Sequence, residues 1–327
     1  MNAHAVVING LQTGFPIVPR PFLEAARPLG LTEEGLLQAI HQLLKEGRLS
    51  RFGPLFNVER MGGGVTLAAM SVPADQFERV TEQVNAFPEV AHNYARDHRL
   101  NMWFVVATEH PTEIPLVLDE ITRQTGHAVF NLPKRAEYRL GFQVRLSAEG
   151  VDTVPLEDPP RPLLDLSPAQ PDPIDRAIVT ATQAGLPLVP HPYHEVANQV
   201  GITAEAVMER LLRMLAWGWI RRLGVVPNHY ALGLKGNGMT VWDLPDEQVD
   251  RLGEMVGNLG FVSHCYCRPK HLPHWPFNLF AMVHGPDRES VVHKMAIIRA
   301  KLGNFRREDA LLHSSRILKK SGLRLRE

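Results

Sequence analysis

The sequence predicts an α+β fold in which a winged helix-turn-helix followed by a ferredoxin-like βαββαβ domain occurs twice in tandem. The first observation behind this prediction is a repeat: Gly14-Phe-Pro-Ile-Val-Pro-Arg-Pro-Phe returns 171 residues later as Gly185-Leu-Pro-Leu-Val-Pro-His-Pro-Tyr. The second is that each copy changes from helical to strand spacing of its apolar residues at a corresponding point. A repeat of this size indicates two similar structural units.

The start of each copy predicts a winged helix. In the first copy Thr32 is the predicted N-cap of a helix, because two glutamates follow it and apolar residues then recur at helical spacing. Gly47 is predicted to end this helix. The segments 49–58 and 220–228 are predicted to form the strands of a small wing.

The rest of each copy predicts a ferredoxin-like domain, with the order strand, helix, strand, strand, helix, strand. In the first copy these elements are predicted near 65–72, 74–86, 88–97, 101–107, 111–125 and 129–145. Residues 151–173 contain seven prolines, which predicts a semi-extended linker. The predicted units are winged helix 1 (1–60), ferredoxin-like domain 1 (61–150), the linker (151–173), winged helix 2 (174–234) and ferredoxin-like domain 2 (235–327).

Charge and composition disfavour nucleic acid and membrane partners. The chain has 35 Lys and Arg against 35 Asp and Glu, whereas proteins that bind nucleic acid usually carry a basic excess. The chain shows neither a signal peptide nor a run of about 18 apolar residues, so a cytoplasmic location is expected. Cys265 and Cys267 lie too close along a strand for an unstrained disulfide and are expected to be small buried residues.

Polar side chains alternate along the second predicted strand of each ferredoxin-like domain. Side chains two residues apart project from the same face of a strand. The residues are His92, Tyr94, Arg96 and His98 in the first copy, and His264, Tyr266, Arg268 and Lys270 in the second. A solvated outer face would explain one such residue, but recurrence of His-x-Tyr-x-Arg in both copies favours a polar space that receives an acidic ligand.

Two resemblances follow from these features. A winged helix followed by βαββαβ resembles the Lrp/AsnC family of transcription regulators, which pair through their sheets, so two joined copies would form an intramolecular pseudo-dimer. The runs Ser263-His-Cys-Tyr-Cys-Arg-Pro and Trp275-Pro-Phe-Asn-Leu-Phe-Ala-Met-Val-His-Gly285 are similar to the signature of siroheme decarboxylases. The segments His92-Asn-Tyr-Ala-Arg-Asp-His98 and Asn101-Met-Trp-Phe104 look like the version in that family's companion subunit.

The second resemblance implies an enzyme, a carboxy-lyase that removes the carboxyl groups of two acetate side chains of siroheme and gives didecarboxysiroheme. The product would serve haem d1 or alternative haem biosynthesis, and the reaction would need no cofactor beyond the iron of siroheme itself. The rival interpretation is an Lrp/AsnC-type regulator that senses a small ligand or a tetrapyrrole. Whether the chain forms a homodimer is left open.

The resemblance also suggests roles for the polar residues. Loss of carbon dioxide leaves a carbanion that an acid must protonate, which suits the catalytic candidates His264, Tyr266, His92 and Tyr94. Arginine binds carboxylates well, so Arg96 and Arg268 are the expected anchors, and one unassigned histidine could instead ligate the iron.

Copy two is five residues longer here, and its extra loop is expected either to close over the ligand or to be a rigid surface loop. The remaining candidates for substrate binding are His98, Lys270, His271, His274 and Trp275. On this basis copy two is expected to hold the better-formed active site.

Overall fold

The computed structural model describes residues 3–141, 143–148, 150–154 and 170–320. Its helices are α1 Ala3–Leu11, α2 Pro21–Ala26, α3 Glu33–Lys45, α4 Phe77–Ala86, α5 Glu113–Thr125, α6 Pro173–Thr182, α7 Pro192–Val200, α8 Ala204–Ala216, α9 Val249–Gly257 and α10 Arg288–Leu302. Its strands are β1 Leu49–Phe56, β2 Gly64–Met70, β3 Val90–Arg96, β4 Met102–Thr108, β5 Val129–Leu132, β6 Ala136–Leu140, β7 Gln143–Leu146, β8 Val151–Val154, β9 Ile220–Pro227, β10 Gly236–Asp243, β11 Val262–Cys267, β12 Leu279–Gly285 and β13 Glu308–Lys320.

The two winged helices share one hydrophobic core. Thr32 caps α3 by accepting a hydrogen bond from the Gly35 amide at 3.0 Å, which confirms the predicted N-cap, and Thr203 caps α8 in the same way. Apolar residues of α1 to α3 and of α6 to α8 are buried in the same cluster. The two winged helices therefore pack as one body.

The two wings pair with each other. Strands β1 and β9 form an antiparallel two-stranded sheet in which Gly53 lies opposite Gly224. A Cβ atom on Gly224 would lie 2.1 Å from the carbonyl oxygen of Leu11, so the backbones approach too closely for any side chain. The predicted wing strands are confirmed, but they form one sheet across the halves instead of two separate wings.

The ferredoxin-like domains join into one nine-stranded sheet with the order β5-β2-β4-β3-β13-β10-β12-β11-β6. Each half contributes four strands in the order expected for βαββαβ, with the fourth strand beside the first. The last strand of each half then crosses over. Residues 308–313 of β13 pair with β10 of the same half, and residues 314–320 pair with β3 of the first half. In the first half β5 pairs with β2, whereas β6 pairs with β11 of the second half. Each half thus completes the sheet of the other.

The nine-stranded sheet curls around a shared interior. Strands β4 and β12 are four positions apart, roughly 19 Å in a flat sheet at ~4.8 Å per strand. Yet the rings of Trp103 on β4 and Phe280 on β12 are 6.4 Å apart. Helices α4 and α5 cover the outer face of the first half, and α9 and α10 cover that of the second. The face opposite the helices therefore faces an interior shared by both halves, where Trp103 and Phe280 belong to one hydrophobic cluster.

The segment after β5 differs from the prediction. Instead of one strand over 129–145, the chain forms β5, β6 and β7, because Pro133 has no amide hydrogen to continue the hydrogen bonding between strands. Strands β7 and β8 form a hairpin, and Asn9 and Gln12 of winged helix 1 hydrogen-bond to its backbone. The predicted linker thus begins with a strand and ends in α6, and its residues 155–169 lie outside the described part of the chain.

Candidate active site

Three polar residues of each predicted set lie on the inner face of the sheet. In the first half the rings of His92 and Tyr94 are 6.2 Å apart, and the Arg96 guanidinium lies 5.8 Å from the Tyr94 ring. In the second half the matching set is His264, Tyr266 and Arg268, with corresponding separations of 6.1 and 5.2 Å. We call these two sets the first and the second ladder. The shared face predicted from residue spacing is confirmed.

Two predicted ladder members lie elsewhere. Strand β3 ends at Arg96, and the His98 ring turns away to accept a hydrogen bond from the Leu100 amide and to contact Trp275. Lys270 lies beyond the end of β11 and pairs with Asp243 at 2.5 Å. Strand alternation no longer applies once the strand has ended. His98 and Lys270 are therefore not parts of the ladders.

The two ladder arginines bind the backbone of the opposite half. Arg96 donates a hydrogen bond to the Leu312 carbonyl at 2.8 Å, and Arg268 donates one to the Leu132 carbonyl at 2.5 Å. Burial lowers the pKa of each guanidinium to about 10, which leaves both charged at neutral pH. These contacts hold the halves together, and they occupy one donor of each predicted carboxylate anchor.

The histidine ends of the two ladders are joined by residues from the second half. Burial, with help from the charge of Lys320, lowers the pKa of His92 to about 4. Burial also lowers the pKa of His229 to about 4, and both Lys320 and His264 add to this shift. Lys320 and His229 therefore link His92 to His264 electrostatically, and we call these four residues the histidine cluster. It is formed by both halves of the chain.

A chain of hydrogen bonds leads from the core of the second half to His264. Asn237 on β10 bonds to His284 on β12, whose Nε2 lies 2.7 Å from the Ser263 hydroxyl. The same hydroxyl lies 2.8 Å from Nδ1 of His264. Burial lowers the pKa of His264 to about 4, so its imidazole is neutral at pH 7.

Charges of both signs surround the second ladder. Tyr266 lies opposite Glu137 on β6, and the charges of Glu137 and Glu59 add to the effect of burial in raising the pKa of its hydroxyl. Lys134 bridges the two carboxylates, at 2.7 Å from Glu137 and 2.8 Å from Glu59. The charges of Arg268 and Arg221 act in the opposite direction, so the second ladder also offers positive charge to an anionic ligand. The expectation that copy two holds the better-formed active site stays a prediction.

The extra loop of copy two is folded into the protein. Trp275 is fully buried and packs edge-on against Trp103 and Phe277. His271 Nε2 lies 2.7 Å from the Asn131 carbonyl, and the exposed His274 contacts Phe130. The indole therefore has no face available for stacking on a ligand, because it fills the space enclosed by the curled sheet. Of the two interpretations of the loop, these contacts fit a rigid loop better than one that closes over the ligand.

Five residues of the site were missed as candidates: Ser263, His284, Asn237, His229 and Lys320. Ser263 and His284 stand inside the two signature runs, so their position in those motifs was an available signal. The others come from a turn, a neighbouring strand and the crossing strand β13. Only the fold brings them to His92 and His264.

Comparison with known proteins agrees with this architecture. The model of the AsnC-like ligand binding domain matches residues 60–139 and 231–319. The model of the siroheme decarboxylase NirDL-like HTH domain matches residues 5–49 and 175–221. The siroheme decarboxylase NirDL subunit of Paracoccus denitrificans is 30% identical, over 98% of this chain and 96% of that relative. This chain belongs to the siroheme decarboxylase NirDL family.

Other members of the siroheme decarboxylase family match in whole or in half. The siroheme decarboxylase NirH subunit of Paracoccus pantotrophus is 52% identical over 48% of this chain and 98% of its own length. A crystal structure of the siroheme decarboxylase NirDL in complex with an iron-uroporphyrin III analogue matches with a TM-score of 0.72 and 27% identity, over 99% of this chain and 94% of that one. The predicted α+β tandem fold is thereby confirmed. Within the described residues, no helix is long and apolar enough to span a bilayer.

Proposed function

We propose that this chain removes the carboxyl groups of two acetate side chains of siroheme and releases didecarboxysiroheme. The observation that carries the proposal is the match to a NirDL subunit over 98% of the chain, since it includes both halves and every element of the inner face. A solved NirDL structure holds an iron-uroporphyrin III analogue, a carboxylated tetrapyrrole of the same chemical class. The inner face, with its two ladders and the histidine cluster, is the part of this fold suited to such a ligand.

We assign the proton transfer to His92. When an acetate loses carbon dioxide, the electron pair of the broken bond stays on the methylene carbon, which then takes a proton to become a methyl group. His92 lies partly exposed on the inner face and stacks beside Tyr94, whose hydroxyl keeps its proton because burial raises its pKa. Lys320 next to His92 supplies a positive charge for a substrate carboxylate.

Substrate binding is expected to take up protons. In the free protein His92 is neutral at pH 7, because burial and Lys320 lower its pKa to about 4. The carboxylates of the bound tetrapyrrole favour the charged imidazole and raise that pKa, so up to about one proton per histidine enters on binding. The pKa is higher in the complex, so affinity must fall as pH rises from the free pKa towards the pKa in the complex.

This uptake can be measured by titration calorimetry with iron(III) uroporphyrin III at pH 7, in buffers of different ionisation enthalpy. The proton count should be positive for the wild-type chain and smaller for His92→Gln, which keeps the size of the side chain but cannot titrate. Binding with no net proton uptake would contradict the assignment of His92.

The direct test of the function is anaerobic incubation of the purified chain with siroheme, followed by mass spectrometry of the product. Loss of two carbon dioxide units per siroheme, dependent on the protein, is the expected result. Unchanged siroheme together with tight binding to promoter DNA would favour the regulator instead. The structure offers that alternative little support, because the wings pair with each other and α3 begins with Glu33 and Glu34.

Several expectations accompany this function as parts of the proposal. The reaction needs no cofactor beyond the substrate iron, and its product supplies haem d1 biosynthesis, as the resemblance implies. A cytoplasmic location is supported by Cys265 and Cys267, which are free and buried against the helices as predicted. Further association of the chain into a homodimer stays a prediction.

A further inference from the structure

The hydrogen-bond chain that ends at His264 has a fixed direction. The side-chain amide nitrogen of Asn237 donates to the Leu234 carbonyl at 3.0 Å, so the amide oxygen faces His284. That oxygen can only accept, so Nδ1 of His284 carries a proton. Nε2 of His284 is then bare and accepts the proton of the Ser263 hydroxyl. The Ser263 oxygen in turn accepts from Nδ1 of His264.

The opposite direction is disfavoured by charge. If Ser263 donated to His264, Nε2 of His284 would have to donate to Ser263 while Nδ1 still donates to Asn237. His284 would then be an imidazolium on a residue that is only 3% exposed, and burying a charge costs far more than burying the neutral ring. The Met282 carbonyl is a weaker acceptor for the hydroxyl, because it lies 3.4 Å away.

His264 is consequently held as the tautomer with a proton on Nδ1 and a lone pair on Nε2. Among the described residues Nε2 has no hydrogen-bond partner, and the side chain is partly exposed on the inner face. A neutral imidazole whose second nitrogen donates to a fixed acceptor is the usual form of a metal-binding histidine. A bare Nε2 cannot donate a proton, so this arrangement suits a ligand of iron better than an acid.

The fold does not require this chain of hydrogen bonds. In the first half Val65 pairs with Ala107 where Asn237 pairs with His284 in the second, and Ala91 precedes His92 where Ser263 precedes His264. Both halves nevertheless form the same strands in the same order. The polar residues therefore serve something that only His264 does, and Nδ1 of His92 is buried without a described partner.

We propose that Asn237, His284 and Ser263 are positioning residues that fix the tautomer of His264, so that Nε2 of His264 ligates the iron of the tetrapyrrole substrate. The inference rests on the proposed function for the identity of the ligand. It divides the two ladder histidines by role, since His264 holds the iron and His92 supplies the proton. Loss of the hydroxyl at Ser263 leaves His264 in place but lets its ring rotate and change tautomer.

The test is an absorbance titration of the full chain with iron(III) uroporphyrin III, comparing Ser263→Ala, Ser263→Thr and the control Ser71→Ala, an exposed serine far from the ladders in sequence. Ser263→Ala should weaken the imidazole-ligated spectrum and raise Kd by about 10- to 100-fold, as expected for loss of a group behind a metal ligand. Ser263→Thr retains the hydroxyl and should restore both. Ser71→Ala should match the wild type.

Two results would overturn the inference. One is an unchanged spectrum and Kd in Ser263→Ala, and the other is an imidazole-ligated spectrum that survives in His264→Ala. Ligation is measured without turnover, so these outcomes are distinct from failure of the proposed function. That failure would appear as a wild-type chain that ligates the iron but leaves the mass of siroheme unchanged.

Discussion

A chain carrying His92→Ala should bind siroheme with the spectrum of the wild type but decarboxylate it about 10²- to 10⁴-fold more slowly, the range lost with a general acid. The imidazole lies on the inner face beside Tyr94 and Lys320, and the structure gives it no part in the hydrogen-bond chain of His264. Single-turnover rates, measured by mass spectrometry under anaerobic conditions, separate this chemical step from binding.

The matched control for this prediction is His293→Ala, which removes an exposed histidine from the outer helix α10. It should decarboxylate at the wild-type rate. A His92→Ala chain with a normal rate constant would refute the assignment of the acid. A chain that instead lost the imidazole-ligated spectrum would show that His92, and not His264, binds the iron.

Replacing Trp275 with alanine should lower the free energy of unfolding by about 3–5 kcal/mol, the usual cost of emptying a buried aromatic site. The side chain is fully buried among Trp103, Phe277 and Phe280 in the space that the curled sheet encloses. Urea denaturation followed by circular dichroism measures the change. The midpoint should fall with little change in the denaturant dependence.

Trp275→Phe provides the control, because it keeps most of the aromatic volume. The indole Nε1 is buried with no described acceptor, so its removal relieves a polar cost of about 1–3 kcal/mol that offsets part of the lost packing. The phenylalanine variant should therefore be much more stable than the alanine variant. If Trp275→Ala kept wild-type stability and instead weakened siroheme binding, the residue would be a stacking group and not part of the core.

Local sequence patterns were enough to predict individual helices and strands of this fold. The cap at Thr32 and the alternation of His92, Tyr94 and Arg96 depend on residues close in sequence, and both appear in the structure. The crossing of β6 and β13 into the opposite halves could not be predicted, because periodicity identifies a strand but not its partner. The end of the ladder before His98 was missed for a related reason, since strand boundaries are weakly encoded.

The site was harder to predict than the fold because it depends on an irregularity. Strict alternation places Ser263 on the face opposite His264, yet the two side chains are hydrogen-bonded. The register between β11 and β12 shifts between Val262 and His264, and such a bulge re-aims a side chain. A single sequence does not reveal that shift. His229 and Lys320 depend in the same way on contacts between distant segments.

The difference between the two halves of the histidine cluster has a consequence for symmetry. In a dimer of identical chains, every substitution appears on both sides of the axis, so an Asn-His-Ser triplet would stand behind both ladder histidines. Joining the copies in one chain removes that constraint. Val65, Ala91 and Ala107 can remain apolar in one copy while their counterparts become polar in the other. Two copies in one chain can therefore give the two histidines different roles, one on each side of the pseudo-two-fold axis, and always in a ratio of one to one.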